Sequence, residues 1–384
     1  MNGGRIVALD AARGIAMLLV CLAHFCDVHF VRSVAIDGWF GIGLALVGKV
    51  ATPTFVLVSG ILMGYQAEAA AGASRFRMHL LDRALFLVTI GHLLIALSFT
   101  PRWGAWRALT SVYITDTVAI CVVVGLFTVP HIHRNVRFVL GGLCAVGNWF
   151  VWRFWLPQDP ALLPIKSLLL GPPEGSDSIL IFPILPWLGW YLVGSAIGEW
   201  LNGEGLCHVS RRSRRLGAAG FGMVALALAL KAGIMLHTSV TGATVDPSWY
   251  GLISPFQKYP PGPIYLLIMG GTALVLVSAL LSPAQPSWIR KCAMLAEPVG
   301  RNSLVIFIVQ FYLYFAACDL FVKQGMVVPF AVSVAAFLLS LAWLWVVAQV
   351  CHRYRISRFL TTGLPALLPS MKESRVFGGL RRAA

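Results

Sequence analysis

The sequence predicts an all-α fold: a polytopic integral membrane protein with about ten transmembrane helices and both termini in the cytoplasm. The first observation is composition. Of the 384 residues, 58% are hydrophobic and only 12% are charged, and the mean hydropathy is +0.79. Soluble domains have about a quarter of their residues charged, because polar side chains must cover their surface. The composition therefore excludes a soluble enzyme, a DNA-binding protein and a disordered chain.

The second observation is a series of apolar runs, each near the ~20 residues that a helix needs to cross the hydrocarbon core. The candidate spans are residues 13–31, 40–64, 84–99, 111–130, 138–156, 180–201, 216–236, 261–281, 302–321 and 328–350. The second run contains Ala51-Thr52-Pro53-Thr54, so we expect it to break there into two shorter helices. We predict one membrane domain over residues 1–358 and a basic cytoplasmic tail over residues 359–384.

The third observation is the distribution of charge. The chain has 30 Lys and Arg against 15 Asp and Glu, a net charge of +15. The basic residues lie in the gaps between apolar runs, and 21 of them fall on the cytoplasmic side against 7 outside when both termini are placed inside. This asymmetry follows the positive-inside rule and favours an even number of spans. We therefore expect a multi-pass protein of the inner (plasma) membrane, with the lipid bilayer as its partner and no nucleic acid.

The first apolar run is the richest in ionisable side chains, which are costly in a membrane span and mark functional sites. Arg13 and His24 are close to three helical turns apart, so they share a face at a separation of about 16 Å. Asp27 follows on the same face. A His beside a carboxylate can act as a general base that the carboxylate orients. In the alternative interpretation, His24, Asp27 and His29 are inert, hydrogen-bonded groups at the outer interface.

Four other polar residues lie in or beside later runs. Asp116 can accept from a His, pair with an Arg or cap its own helix. His92 is most simply a hydrogen-bonded core histidine, and Gln310 an interhelical hydrogen-bond partner. Arg301 is spaced to form an i,i+4 ion pair with Glu297. No Cys or His spacing indicates a metal, and no Walker A motif indicates ATP-driven transport.

Several segments resemble the membrane acyltransferase superfamily over about residues 5–315. Leu9-Asp10-Ala11-Ala12-Arg13-Gly14-Ile15-Ala16, followed by His24, resembles the first span of the acyltransferase-3 branch, in which an Arg, ten residues and a His recur. Residues 51–60, 185–194 and 258–263 resemble the heparan-α-glucosaminide N-acetyltransferase-like branch, and residues 300–304 a late element of the superfamily. Gln310 stands where the acyltransferase-3 branch often has a His. His29 is the nearest His to the working position of the heparan branch.

The resemblance implies an enzyme that moves an acyl group, most simply acetyl, from cytosolic acyl-CoA to a hydroxyl or amine of a glycan or similar small-molecule acceptor at the outer face. A His would serve as base or acyl carrier. On this basis the predicted catalytic residues are His24, Asp27, His29 and Asp116. The residues predicted to contact acyl-CoA are Arg13, Asp10, Lys258 and Arg301. Arginine suits this role because its guanidinium group binds phosphate in bidentate fashion.

Two other functions stay open at this point. An intramembrane His/Asp pair could relay protons in a transporter or flippase, although two related halves, typical of transporters, are not visible in the sequence. A structural or sensor membrane protein with inert polar residues is the third hypothesis. The sequence leaves open the acceptor, the acyl chain, O- against N-transfer, a direct against an acyl-enzyme route, and the oligomeric state, with a homodimer among the options.

Overall fold

A computed structural model describes residues 6–27, 39–67, 74–173, 182–202, 209–242, 245, 249–317 and 329–354. Within these ranges the chain is mainly helical and contains no β-strand, which confirms the predicted all-α class. His29 and the predicted basic tail lie outside the described residues.

The helices follow the predicted apolar runs along the chain. In order they are α1 (Val7–Phe25), α2 (Trp39–Lys49), α3 (Ala51–Ala67), α4 (Ser74–Phe86), α5 (His92–Trp103), α6 (Ala105–Thr110), α7 (Ile114–Thr128), α8 (Arg134–Phe154), α9 (Leu162–Leu169), α10 (Ile184–Asn202), α11 (Val209–Thr241), α12 (Tyr250–Ile253), α13 (Pro263–Tyr265), α14 (Gly271–Leu281), α15 (Ser287–Arg301), α16 (Ser303–Phe311) and α17 (Phe330–Arg353). Wide π-helical turns join α4 to α5 and α13 to α14, and a third follows α16.

The length and composition of the helices identify this bundle as a polytopic membrane protein. In the described part of the chain, seven helical stretches are long and apolar enough to cross a membrane, or eight when α15 and α16, bent by 76°, count as one span. Helices α8 and α10, of 21 and 19 residues, occupy two further predicted runs but fall outside that apolarity limit. The total of ten spans and the cytoplasmic placement of the termini stay predictions.

The predicted break in the second run is limited to one turn, and residues 46–66 still form a single helical stretch long enough to cross a membrane. Helix α2 ends at Lys49 and α3 begins at Ala51, with Val50 in a turn between them. Pro53 lies in the first turn of α3, where its missing N–H is not needed for a helical hydrogen bond. The hydroxyl of Thr54 donates to the carbonyl of Val50 at 2.8 Å, which satisfies an acceptor beside the break.

The predicted start of the first span was wrong. The apolar run suggested residues 13–31, but α1 begins earlier, at Val7, while residues 28–31 lie outside the described part of the chain. The helix includes Asp10 and Arg13 because both find polar partners on α15 and α16. As a consequence His24 lies in the last turn of α1, and the shift places Arg13 within the helix rather than at its start.

Helices α3 and α10 pack closely against each other. A Cβ atom on Gly60 would collide with a backbone carbonyl of α10, so only glycine allows this approach. The indole N–H of Trp190 donates to the carbonyl of Pro53 at 2.9 Å. These two helices contain residues 51–60 and 185–194, two of the segments that carry the family resemblance. Their role in the described structure is to form the core that supports the neighbouring helices.

A second close contact fixes one face of α1 against α15. A Cβ atom on Gly14 would collide with a carbonyl of α15, and one on Gly300 would collide with a carbonyl of α1. Because α16 leaves α15 at a bend of 76°, it passes a different face of α1. That second face carries Arg13 and His24.

Candidate functional site

Helix α16 supplies a hydrogen-bond partner to each of the two signature residues of α1. A guanidinium N–H of Arg13 (Nη2) donates to the hydroxyl of Ser303 at 2.7 Å. Nδ1 of His24 lies 2.8 Å from Oε1 of Gln310. The two side chains therefore point toward one neighbouring helix, as their three-turn spacing predicts. We call this pair of contacts the α1–α16 seam.

The hydrogen bonds around Gln310 fix the tautomer of His24. The amide N–H of Gln310 (Nε2) donates to the carbonyl of Phe307 at 3.1 Å, so the amide oxygen is the atom that faces the imidazole. An oxygen acceptor there requires His24 to carry its proton on Nδ1. Nε2 of His24 then holds a lone pair, and among the described residues it has no hydrogen-bond partner. Such a nitrogen can accept a proton from a substrate.

Aromatic rings surround the imidazole of His24. The ring centroids of Phe311 and Phe315 lie 5.0 and 5.1 Å from that of His24. The guanidinium of Arg102 lies 5.8 Å from the Phe315 centroid. The imidazole of His24 is therefore packed against a largely aromatic wall.

A narrow cavity of about 90 Å³ runs beside the α1–α16 seam. Two guanidinium groups line it, one from Arg13 and the other from Arg83 of α4, together with Ser303. It also reaches Val20 and Phe307, each about one helical turn before His24 or Gln310 on its own helix. The cavity therefore extends from two cations toward His24, which is not itself among the residues that line it.

Lys258 lies near the end of α1 that is opposite to Arg13. Its ammonium nitrogen lies 5.1 Å from the ring centroids of both Phe182 and Tyr259. It interacts electrostatically with His24. Burial lowers the pKa of Lys258 to about 8, and the negative charge of a nearby aspartate opposes this shift. Lys258 and Arg13 were both predicted to contact acyl-CoA, but the structure places them at opposite ends of α1.

Asp27 does not orient His24 as the sequence analysis expected. Helix α1 ends at Phe25, Asp27 lies in the π-helical turn that follows, and among the described residues no hydrogen bond joins Asp27 to His24. Asp27 is exposed and interacts electrostatically with Lys258, Lys49 and Arg102. The orienting contact to the imidazole comes from an amide of α16 instead.

Asp116 is held in a separate cluster. Its Oδ2 lies 2.9 Å from Nδ1 of His92 and accepts the backbone N–H of Tyr113 at 2.8 Å, which caps α7. Nε2 of His92 lies 3.0 Å from the carbonyl of Leu109. Two of the roles considered for Asp116, acceptor from a His and helix cap, are thus both present. Among the described residues Asp116 makes no hydrogen bond to His24.

Asp10 and Arg301 form a charged contact between α1 and α15. Arg301 pairs with Glu297 in the expected i,i+4 geometry, and its Nε lies 3.9 Å from a carboxylate oxygen of Asp10. Neither residue is among those that line the cavity beside Arg13. Both were predicted to contact acyl-CoA; the structure places them at the joint between two helices.

Sequence reasoning missed two residues of this site. Arg83 was used only as a positive charge that indicates membrane orientation. Ser303 lies within residues 300–304, but in that segment only the charged Arg301 was predicted to be functional. The spacing of Ser303 and Gln310, two helical turns apart, is the signal that could have identified a second helix facing Arg13 and His24. The expectation that Gln310 forms an interhelical hydrogen bond was correct, but its partner, His24, was not identified.

Two protein families match the chain. Residues 5–228 match the family described as heparan-alpha-glucosaminide N-acetyltransferase, catalytic. Residues 119–356 match the family described as OpgC protein. Each match covers more than half of the 384 residues, and together they extend from α1 to the region after α17. No individual curated protein matches the sequence.

Proposed function

The chain belongs to the acyltransferase-like membrane family that joins the heparan-alpha-glucosaminide N-acetyltransferase catalytic domain and the OpgC protein, and we propose that it transfers a short acyl group from cytosolic acyl-CoA to an acceptor at the opposite membrane face. A membrane-bound transferase is the general activity of this family. Beyond this general activity, we propose the donor, the acceptor and the residues that perform the transfer.

One observation carries the proposal: the α1–α16 seam places a guanidinium and a histidine with a free Nε2 along one face, and a cavity extends from the guanidinium to Val20, about one helical turn before the histidine. Arg13 and Arg83 line the predicted cytoplasmic part of that cavity. Guanidinium groups bind phosphate with charge-assisted hydrogen bonds, and CoA carries phosphates. The small volume, about 90 Å³, favours a short acyl group such as acetyl.

In the proposed reaction, Nε2 of His24 accepts the proton of an acceptor hydroxyl or amine. The acceptor oxygen or nitrogen forms a bond to the thioester carbonyl carbon, and the carbon–sulfur bond breaks. The leaving thiolate of CoA takes the proton back from the imidazolium, which restores neutral His24. In the two-step variant, Nε2 itself attacks and holds the acyl group before the acceptor does. Gln310 positions the imidazole in either route.

The opposite end of α1 is the proposed acceptor side. Lys258 lies over two aromatic rings there, those of Phe182 and Tyr259. Aromatic faces and nearby polar groups suit a sugar with hydroxyls to be modified, so we assign Lys258 to the acceptor rather than to acyl-CoA. A glycan is the acceptor class that this arrangement favours.

The proposal is tested by transfer of label from [¹⁴C]acetyl-CoA in sealed vesicles that contain the purified full chain, with glycans and amino sugars supplied on the far side. Arg13→Met removes charge-assisted contacts worth roughly 1.5–3 kcal/mol, so we expect KM for acetyl-CoA to rise about 10–100-fold. Arg77→Met is the matched control, because Arg77 is exposed on α4 and is not among the cavity-lining residues. It should leave KM unchanged.

Two outcomes would contradict the proposal. Equal KM values for the wild type and Arg13→Met would remove Arg13 from the donor site. A wild-type protein that acylates no acceptor in the panel but moves a solute across the vesicle membrane would favour the transporter hypothesis instead.

A further inference from the structure

A second and larger cavity, of about 660 Å³, lies away from the α1–α16 seam. It is bounded by α8, α10, α11 and the α13–α14 segment. Its walls are mainly apolar and include Phe138, Val146, Trp190 and Met223. The volume is within the range of about 300–1,000 Å³ that is typical of ligand sites. We call this cavity the α8–α11 groove.

Two cations stand at one end of the α8–α11 groove. Arg134 begins α8 and Arg215 lies near the start of α11, and both line the groove. Among the described residues, neither has a hydrogen bond or an ion pair. Their neighbours differ: Arg137 pairs with Glu199, and Arg212 donates to backbone carbonyls of α10. The mouth of the groove thus holds two positive charges that pair with no acidic side chain in the part of the chain that the structure describes.

The depth of the α8–α11 groove matches one leaflet of a bilayer. Along α8, the lining residues run from Arg134 to Val146, which is about 18 Å of helix. Half of the ~30 Å hydrocarbon core is about 15 Å. An amphiphile with its polar group at Arg134 would therefore extend its chain to the membrane midplane.

Helix α11 has few protein neighbours of its own. Only 11% of its most apolar stretch is buried within the protein. Apart from the hydrogen bonds of Arg212 to α10, its contact with the bundle runs mainly along α14, where Gly220 approaches the backbone of Gly271 closely. A lipid chain in the groove would supply apolar contact between α11 and the α8–α10 face.

From these features we propose that the α8–α11 groove binds a phospholipid with an anionic headgroup from the leaflet on the Arg134 side, the predicted cytoplasmic leaflet. The headgroup phosphate contacts Arg134 and Arg215, and an acyl chain lies along the apolar walls. Basic pockets between transmembrane helices on this side are suited to anionic lipids. The apolar depth of the groove selects a lipid over a water-soluble phosphate.

The site is tested by quantifying the lipids that remain bound to the full chain purified in mild detergent from membranes. We expect the wild type to retain phosphatidylglycerol or cardiolipin in preference to phosphatidylcholine. Combined Arg134→Gln and Arg215→Gln should lower retention about tenfold or more, because both charge-assisted contacts are lost. Arg214→Gln is the control, since Arg214 is exposed on α11 and is not among the groove-lining residues.

A second pair of variants tests the apolar part of the groove. Gly142 lines the groove and has open space where a Cβ would be, so Gly142→Leu should fill the volume without a backbone collision and release the lipid. Gly147, also on α8 and also with open space, is not among the lining residues. Gly147→Leu should therefore retain the lipid as the wild type does.

Several results would overturn the proposal. One is a wild type without bound phospholipid; another is equal loss of lipid in the test and control variants. Retention of phosphatidylcholine as strong as that of phosphatidylglycerol would remove the role of the two arginines. Displacement of the lipid by inorganic phosphate alone would assign the mouth to a soluble anion. If Gly142→Leu dissociated a dimer without loss of lipid, the groove would belong to a second copy of the chain.

Discussion

Two histidines in this bundle have similar surroundings but differ in whether a ring nitrogen is available to accept a proton. His24 and His92 both lie in apolar helices, and each bonds through Nδ1 to a side-chain oxygen. For His92 that oxygen is a carboxylate, and Nε2 is occupied by the carbonyl of Leu109. For His24 the oxygen is a neutral amide, and Nε2 has no hydrogen-bond partner in the described part of the chain.

The comparison teaches that an unused ring nitrogen distinguishes a base from a structural histidine. A carboxylate beside a histidine usually indicates a catalytic pair, and in this protein the pair with that geometry is His92 and Asp116. Their bonds are all internal: they cap α7 and tie it to α5. His24 lacks the carboxylate but keeps the lone pair, and it lies about one helical turn beyond Val20, which lines the same cavity as Arg13.

The strongest effect on stability should come from breaking the internal pair. His92→Phe leaves Asp116 buried without its imidazole partner, which costs about 1–3 kcal/mol of unfolding free energy. Denaturant unfolding of the purified protein measures this loss, and acetyl transfer per folded molecule should stay near that of the wild type. His79→Phe, at an exposed position of α4, is the control. A large fall in turnover of folded His92→Phe would place His92 in the chemistry.

Loss of the amide partner should weaken turnover more modestly. Gln310→Leu removes the acceptor that keeps the proton of His24 on Nδ1, so only part of the population has the reactive lone pair on Nε2. We expect kcat to fall about tenfold, equal to about 1.4 kcal/mol, with KM for acetyl-CoA unchanged. Asn148→Leu is the control, because Asn148 bonds to the carbonyl of Leu170, away from the seam. An unchanged kcat in Gln310→Leu would show that Gln310 does not position the base.

The smallest effect concerns Lys258 and pH. Its pKa in the folded protein is about 8, below the ordinary value of 10.5. Between these two pH values the unfolded state binds more protons, so the contribution of Lys258 to stability rises with pH. The melting temperature of the wild type, relative to that of Lys258→Met, should therefore increase from pH 8 toward pH 10.5. A constant difference over this range would mean that Lys258 is not desolvated.

Much of the fold follows from local signals in the sequence. The apolar runs locate the helices, and Pro53 locates the break before α3. The start of α1 could not be predicted from these signals, because polar residues normally end an apolar run. Asp10 and Arg13 are tolerated in the helix through partners on α15 and α16, and the serine that bonds Arg13 is 290 residues away along the chain. No local pattern carries that information.

The candidate site was predictable in part for the same reason. Spacing alone places Arg13 and His24 on one face, since a helix repeats regularly. The partner of His24 could not be found from spacing, which favoured Asp27. It required the packing of α16, which brings Gln310 to the imidazole from 286 residues away. Tertiary contacts of this kind are set by the bundle as a whole.

The central claim is that Nε2 of His24 performs the proton transfer or carries the acyl group. The direct test measures acetyl transfer by folded, membrane-inserted His24→Ala and His92→Ala side by side, with and without added imidazole. The account predicts that kcat falls about 10²–10⁴-fold in His24→Ala, recovers in part with imidazole, and stays near wild type in His92→Ala. Wild-type turnover in folded His24→Ala would contradict it.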